Sequence, residues 1–144
     1  MTQLSDHLTL EEFIHSDTAI ANNIDNTLPD NLMQNAIDVA TNVFEPVREL
    51  LGVPIKLDSG YRNAEVNVLV RGVPTSQHTE GKAIDMVPEG ISIADAFEKI
   101  KASNIVWDQL IAEHTSSGVY WIHASYNKDN NRQQVIPNLL KLNN

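Results

Sequence analysis

The chain has 144 residues, 42% of them hydrophobic and 20% charged, which is the size and composition of one globular domain, residues 1–144, built on a single core. Ten Lys and Arg against nineteen Asp and Glu leave a net charge of -9 with His neutral. That excludes nucleic-acid binding by phosphate neutralisation and offers no basic patch to steer the chain to an anionic surface. No apolar run reaches transmembrane length, the first residues lack the basic start and apolar stretch of a secretory signal, and there is no cysteine, so any metal site must use His and carboxylate ligands. A monomer made in the cytoplasm, without stable membrane association, is the expectation.

In chain order, Thr9 followed by Glu12 is a capping-box pattern for a short helix over residues 8–16. Leu10, Phe13 and Ile14 form its apolar face, and His15 is read as a surface residue. Residues 19–28, rich in Asn and Asp, read as an irregular loop. Pro29 fits the first turn of a long helix over roughly 30–51. There Leu32, Ala36, Val39, Ala40, Val43 and Val47 recur at helical spacing. Pro46 should kink or split this helix, and Gly52 should stop it. Residues 53–57 read as a strand running into Asp58-Ser59-Gly60-Tyr61-Arg62, and residues 63–70 as a short helix capped by Asn63. A loop, 72–76, delivers His78, and a strand over 83–87 fixes Asp85. Ser92 caps an amphipathic helix over 92–103 that buries Ala96, Phe97 and Ile100. Residues 107–113 and 119–126 form two strand-like runs joined by a loop of about five residues, an ordinary hairpin length. The tail, 127–144, reads as a last edge strand. Partly segregated helices and strands with a hairpin predict an α+β domain, a small, mainly antiparallel sheet with flanking helices.

The chemistry concentrates in Ser76-Gln77-His78-Thr79-Glu80-Gly81-Lys82-Ala83-Ile84-Asp85. His78 and Asp85 are seven residues apart with a glycine between them. Imidazole and carboxylate both suit zinc, and a catalytic zinc takes three protein ligands and one open position. His123, in the apolar run Val119-Tyr120-Trp121-Ile122-His123, supplies the third. The set His78, Asp85, His123 is therefore read as a site for one Zn2+, although such ligands accept other divalent ions. Hydrolysis by a zinc-activated water also needs a general base. Glu113 and Asp108 are the nearby acids, and hairpin pairing would bring Glu113 beside His123; His114 is a further proton carrier. The guanidinium of Arg62 suits a carboxylate or a peptide carbonyl.

Ser-x-His-x-x-Gly-x-Ala-x-Asp followed by Trp-x-His resembles the zinc D-Ala-D-Ala peptidases and related phage endolysins, in their short standalone carboxypeptidase-type branch. Ser59-Gly60-Tyr61-Arg62-Asn63, Trp107-Asp108-Gln109-Leu110-Ile111 and Leu8-Thr9-Leu10-Glu11-Glu12-Phe13 extend the resemblance over roughly residues 8–127. It implies a Hedgehog/DD-peptidase-like fold. It also implies a zinc peptidase acting on peptidoglycan stem peptides, either a D-Ala-D-Ala carboxypeptidase or an L-Ala-D-Glu endopeptidase, in a phage or prophage endolysin released by a holin. By the same resemblance Glu113 is the base, Arg62 binds substrate or stabilises the oxyanion, and Ser76 and Gln77 contact substrate. One position departs from the pattern. Relatives carry an acid three residues before the last histidine, where this chain has Tyr120. The alternative is therefore a catalytically inactive zinc-bearing binding module of the same fold.

Overall fold

The computed structural model describes residues 2–141; Met1 and the last three positions of the expected C-terminal strand lie outside them. A two-stranded antiparallel ribbon, β1 (Gln3–Ser5) and β2 (Leu8–Thr9), opens the chain. Helix α1 (Leu10–Ile14) follows with both halves of its capping box formed: the Glu12 N–H donates to Thr9 Oγ1 at 3.1 Å, and the Thr9 N–H to Glu12 Oε1 at 3.0 Å. The expected irregular stretch begins instead with a helix, α2 (Asp17–Ala21), because Ser16 accepts the Ala19 N–H and caps it.

The long helix is present as one run in four pieces: a 3-10 turn (Asp30–Leu32), α3 (Met33–Val39), a π turn (Ala40–Phe44) and α4 (Glu45–Leu51). Pro46 does not split it. The turn just before the proline widens to π geometry, which accommodates the missing N–H and the ring. Gly52 closes the run in the left-handed region at φ 67°. Strand β3 (Ile55–Ser59), helix α5 (Ala64–Leu69), strand β4 (Ala83–Pro88), helix α6 (Ile93–Lys101) and strands β5 (Gln109–Thr115), β6 (Tyr120–Ser125) and β7 (Gln134–Lys141) complete the fold.

The main sheet has the order β3-β4-β6-β5-β7. All its pairings are antiparallel except β5 with β7, which is parallel. The tail is thus an edge strand as expected, added on the parallel side. The period of two divides the sheet into two faces with different work. On one face Ile84, Met86, Leu110, Ala112, Ile122 and Ala124 are buried in the same core as Val39, Val43, Phe44 and Val47 of the long helix and Phe97 and Ile100 of α6. The other face carries Asp85, Ile111, Glu113, Trp121 and His123. The helices make the first face greasy and leave the second for chemistry.

Candidate active site

Strand pairing sets two of the three predicted metal ligands. Asp85 on β4 lies directly across from His123 on the central strand β6. The third, His78, comes from a 3-10 turn, Gln77–Glu80, whose start is held by Ser76 Oγ accepting the His78 N–H. Gly81 then turns the chain into β4 at φ 70°, a left-handed conformation natural to glycine. All three side chains are buried, and their donor atoms lie within 4.8 Å of one another.

The geometry fits a tetrahedral ion. His78 Nε2 is 3.2 Å and His123 Nδ1 3.1 Å from the same oxygen, Asp85 Oδ1. Bonds of the length zinc makes to N and O would place tetrahedral ligand atoms about 3.4 Å apart. The protonation pattern also fits. His78 Nδ1–H donates to the Gly60 carbonyl at 2.7 Å, so the lone pair of neutral His78 is on Nε2 and points at the carboxylate. A lone pair opposed to an anionic oxygen calls for a cation at their focus. Burial lowers the pKa of His78, with Asp85 acting the other way. Burial would raise that of Asp85, but its two histidine neighbours, His78 and His123, outweigh it, and the carboxyl is held well below its usual range. A neutral imidazole and an ionised carboxylate are the forms that bind metal.

Gly60 is pinned for a second reason. A Cβ there would clash with the Phe13 carbonyl oxygen, so only glycine lets the chain leaving β3 pass the end of α1 this closely. The carbonyl that orients His78 is therefore positioned by the packing of α1.

Glu113 is buried on β5, but it faces Trp121 across the strand pair, and Ile111 is the residue opposite His123. The expected direct pairing is thus a diagonal one: Glu113 Oε1 lies 3.6 Å from His123 Nδ1. The Trp121 indole N–H donates to Oε1 at 3.0 Å, and Lys141 Nζ is 2.9 Å from Oε2. Tyr120, at an odd number of residues from His123, projects from the opposite face and stacks on His114 with ring centroids 4.9 Å apart. An acid at that position of this strand could not reach the site.

Asp108 is a poor base. Its buried carboxylate accepts the Arg132 Nε–H at 2.8 Å, Nη2–H at 3.0 Å and backbone N–H at 2.9 Å, and the Gln77 Nε2–H at 2.8 Å. The hydrogen bonds from the Arg132 side chain, against the effect of burial, bring its pKa down to about 2. Gln77 is accordingly fixed beside His78, and its Oε1 is buried with no donor among the described residues. Arg62 spans three elements, donating to Ser59 Oγ at 3.0 Å, Asn67 Oδ1 at 3.4 Å and Asp85 Oδ2 at 3.3 Å. It braces the second oxygen of the ligand carboxylate and keeps unused two of a guanidinium's five N–H donors.

Arg62, Gln77, His78, Glu113 and His123 line one cleft of about 510 Å³. A cavity of similar size, about 530 Å³, lies beside α6 and Tyr120 on the other face and holds none of these groups. Sequence reasoning missed Arg132 and Lys141, which also line the cleft, and the anchoring role of Asp108. Nothing local marks them, since their partners are 24 or more residues away.

In comparisons with known proteins, the family model described as Peptidase M15 matches residues 6–125, a span that contains His78, Asp85, His123, Glu113 and Arg62. No curated protein gives a significant match.

Proposed function

Because the chain belongs to the peptidase M15 family, we propose that it is a zinc-dependent peptidoglycan peptidase of the endolysin type, acting as a monomer on the stem peptides of the cell wall. The observation that carries this reading is the convergence of His78 Nε2 and His123 Nδ1 on Asp85 Oδ1 at 3.2 and 3.1 Å, with both histidines lining a cleft that also contains the buried Glu113.

In this reading His78, Asp85 and His123 hold the ion, which when bound acidifies water and polarises a carbonyl. Glu113 takes the proton of the attacking water and passes it to the leaving amine. The Trp121 indole N–H on Oε1 fixes the carboxylate so that its remaining lone pairs serve the transfer. Arg62 supplies its free N–H groups to the substrate carbonyl or carboxylate, and Ser76 shapes the turn that presents His78. Gln77, with a buried acceptor that lacks a donor, suits an amide N–H of the substrate. Glu113 favours an enzyme over the inactive binding module, because the acid missing at Tyr120 is supplied by the neighbouring strand.

The test is digestion of purified peptidoglycan with zinc-loaded protein, with mass spectrometry of the fragments and His78→Ala as control. New termini at one defined bond, absent in the control, are expected. Stoichiometric zinc without cleavage of several wall types would refute the peptidase and leave the binding module.

A further inference from the structure

One wall of the cleft is made by residues beyond the family match. β7 lies parallel along β5, and with the connection that precedes it brings Arg132, Ile136, Leu139 and Lys141 to the cleft. The charges on this wall are arranged unequally. The cleft is lined by three cations, Arg62, Arg132 and Lys141, and two carboxylates, Asp108 and Glu113. Both carboxylates are buried, at 1% and 2% exposure. The side chains of Arg132 and Lys141 are 51% and 40% exposed. The charge that a ligand meets there is positive, in a chain whose net charge is -9.

The two cations also sit at defined places. Arg132 is clamped on Asp108, immediately before β5, by its Nε–H and one Nη2–H, which leaves three N–H groups for a ligand. Lys141 spends one of its three N–H groups on Glu113, further along β5. Ile111, the residue opposite His123, lies between Asp108 and Glu113 on that strand. The anchors are five residues apart, which is about 17 Å of strand, so the cations flank the His78–Asp85–His123 cluster.

We propose that Arg132 and Lys141 are specificity-determining residues, and that the cleft takes an acidic peptide with a free carboxylate on each side of the bond cut, one met by each cation. This rests on the peptidase reading for the word "cut" but not for the binding preference. Ion pairing at half-exposed side chains is worth up to about fivefold in affinity per carboxylate.

Calorimetry with the zinc-loaded full chain tests it, using the synthetic peptide L-Ala-D-Glu-L-Lys-D-Ala-D-Ala, whose D-Ala-D-Ala bond lies between the glutamate and C-terminal carboxylates, and forms amidated at the glutamate carboxylate, at the C-terminus or at both; mass spectrometry follows cleavage of the same peptides. The doubly charged peptide is expected to bind tightest, with a loss of up to about fivefold for each amidation. Lys141→Gln should abolish the preference for one carboxylate and Arg132→Gln that for the other, each lowering affinity for the charged peptide more than for the doubly amidated one, and Lys141→Arg should restore the preference lost with Lys141. Circular dichroism checks the fold; if Arg132→Gln unfolds, Arg132→Lys and the Lys141 pair carry the test. Equal affinity for charged and amidated peptides, or variants that weaken both alike, would overturn the proposal. Preference without cleavage would remove the peptidase and leave this inference standing; cleavage without preference would do the reverse.

Discussion

Asp108→Asn removes a charge on which four donors converge while keeping the shape of the side chain. In the folded protein the Asp108 pKa falls from 3.8 to about 2. At about 1.4 kcal/mol per unit, that depression corresponds to roughly 2 kcal/mol of stability. Arg132 is half-exposed and its share is screened, so about 1–2 kcal/mol is the expected loss at pH 7. Because the folded pKa is depressed, this contribution is complete above the unfolded value and disappears as pH falls from about 4 toward 2. Urea unfolding of wild type and variant, at constant m and at several pH values, measures it. Asp25 and Glu45 also have lowered pKa values, but both proteins carry them and they cancel in the difference. Any steric cost of the amide beside the guanidinium would not vary with pH. A difference below about 0.5 kcal/mol at pH 7, or one that stays constant down to pH 2, would refute the reasoning.

Three further outcomes are expected. Glu113→Gln should lower the rate of peptide hydrolysis by about 10²–10⁴-fold with metal content by mass spectrometry unchanged; retention of more than a tenth of the activity would exclude Glu113 as the base. His78→Ala should lose stoichiometric metal. It should also lose the gain in stability that zinc gives the wild type, about 4 kcal/mol at a free concentration a thousand times Kd; an unchanged zinc-dependent shift in Tm would remove His78 from the ligand set. Gly60→Ala places a Cβ against the backbone of Phe13 and should cost more than about 2 kcal/mol. It should also weaken zinc binding, because the carbonyl that orients His78 moves with it; unaltered zinc affinity in a folded variant would show that this carbonyl does not set the ligand.

The features legible in the sequence were those with a short period or a local cap. The capping box at Thr9, the caps at Asn63 and Ser92, and the stripe from Ala36 to Val47 all lie where the spacing put them. Asp85 and His123 could be paired as ligands because each stands out against an apolar strand. What escaped depends on contacts between distant segments. The register that sets Glu113 diagonal to His123, the parallel addition of β7, and the ion pairs Asp108–Arg132 and Glu113–Lys141 are fixed by tertiary packing. Two misses were local. Ser16 and Asp17 are a good helix start whose signal was diluted by the Asn and Asp residues that follow. The π turn before Pro46 is a response of the helix to a residue whose presence alone predicts only a disturbance.

The strand order β4-β6-β5 has a consequence for how the molecule assembles. β6 is inserted between two strands that both precede it in the chain, so Asp85 and His123, 38 residues apart, meet only when β6 docks on β4. Such non-local pairing comes late, after the loop-closure entropy has been met. A metal ion therefore has no complete site to bind during the early collapse and cannot act as a nucleus, in contrast to small zinc modules in which the ion itself drives folding. An ion that meets a complete site only once these strands are docked is expected to act mainly on unfolding, slowing it while changing the folding rate little; stopped-flow folding with and without zinc measures the split.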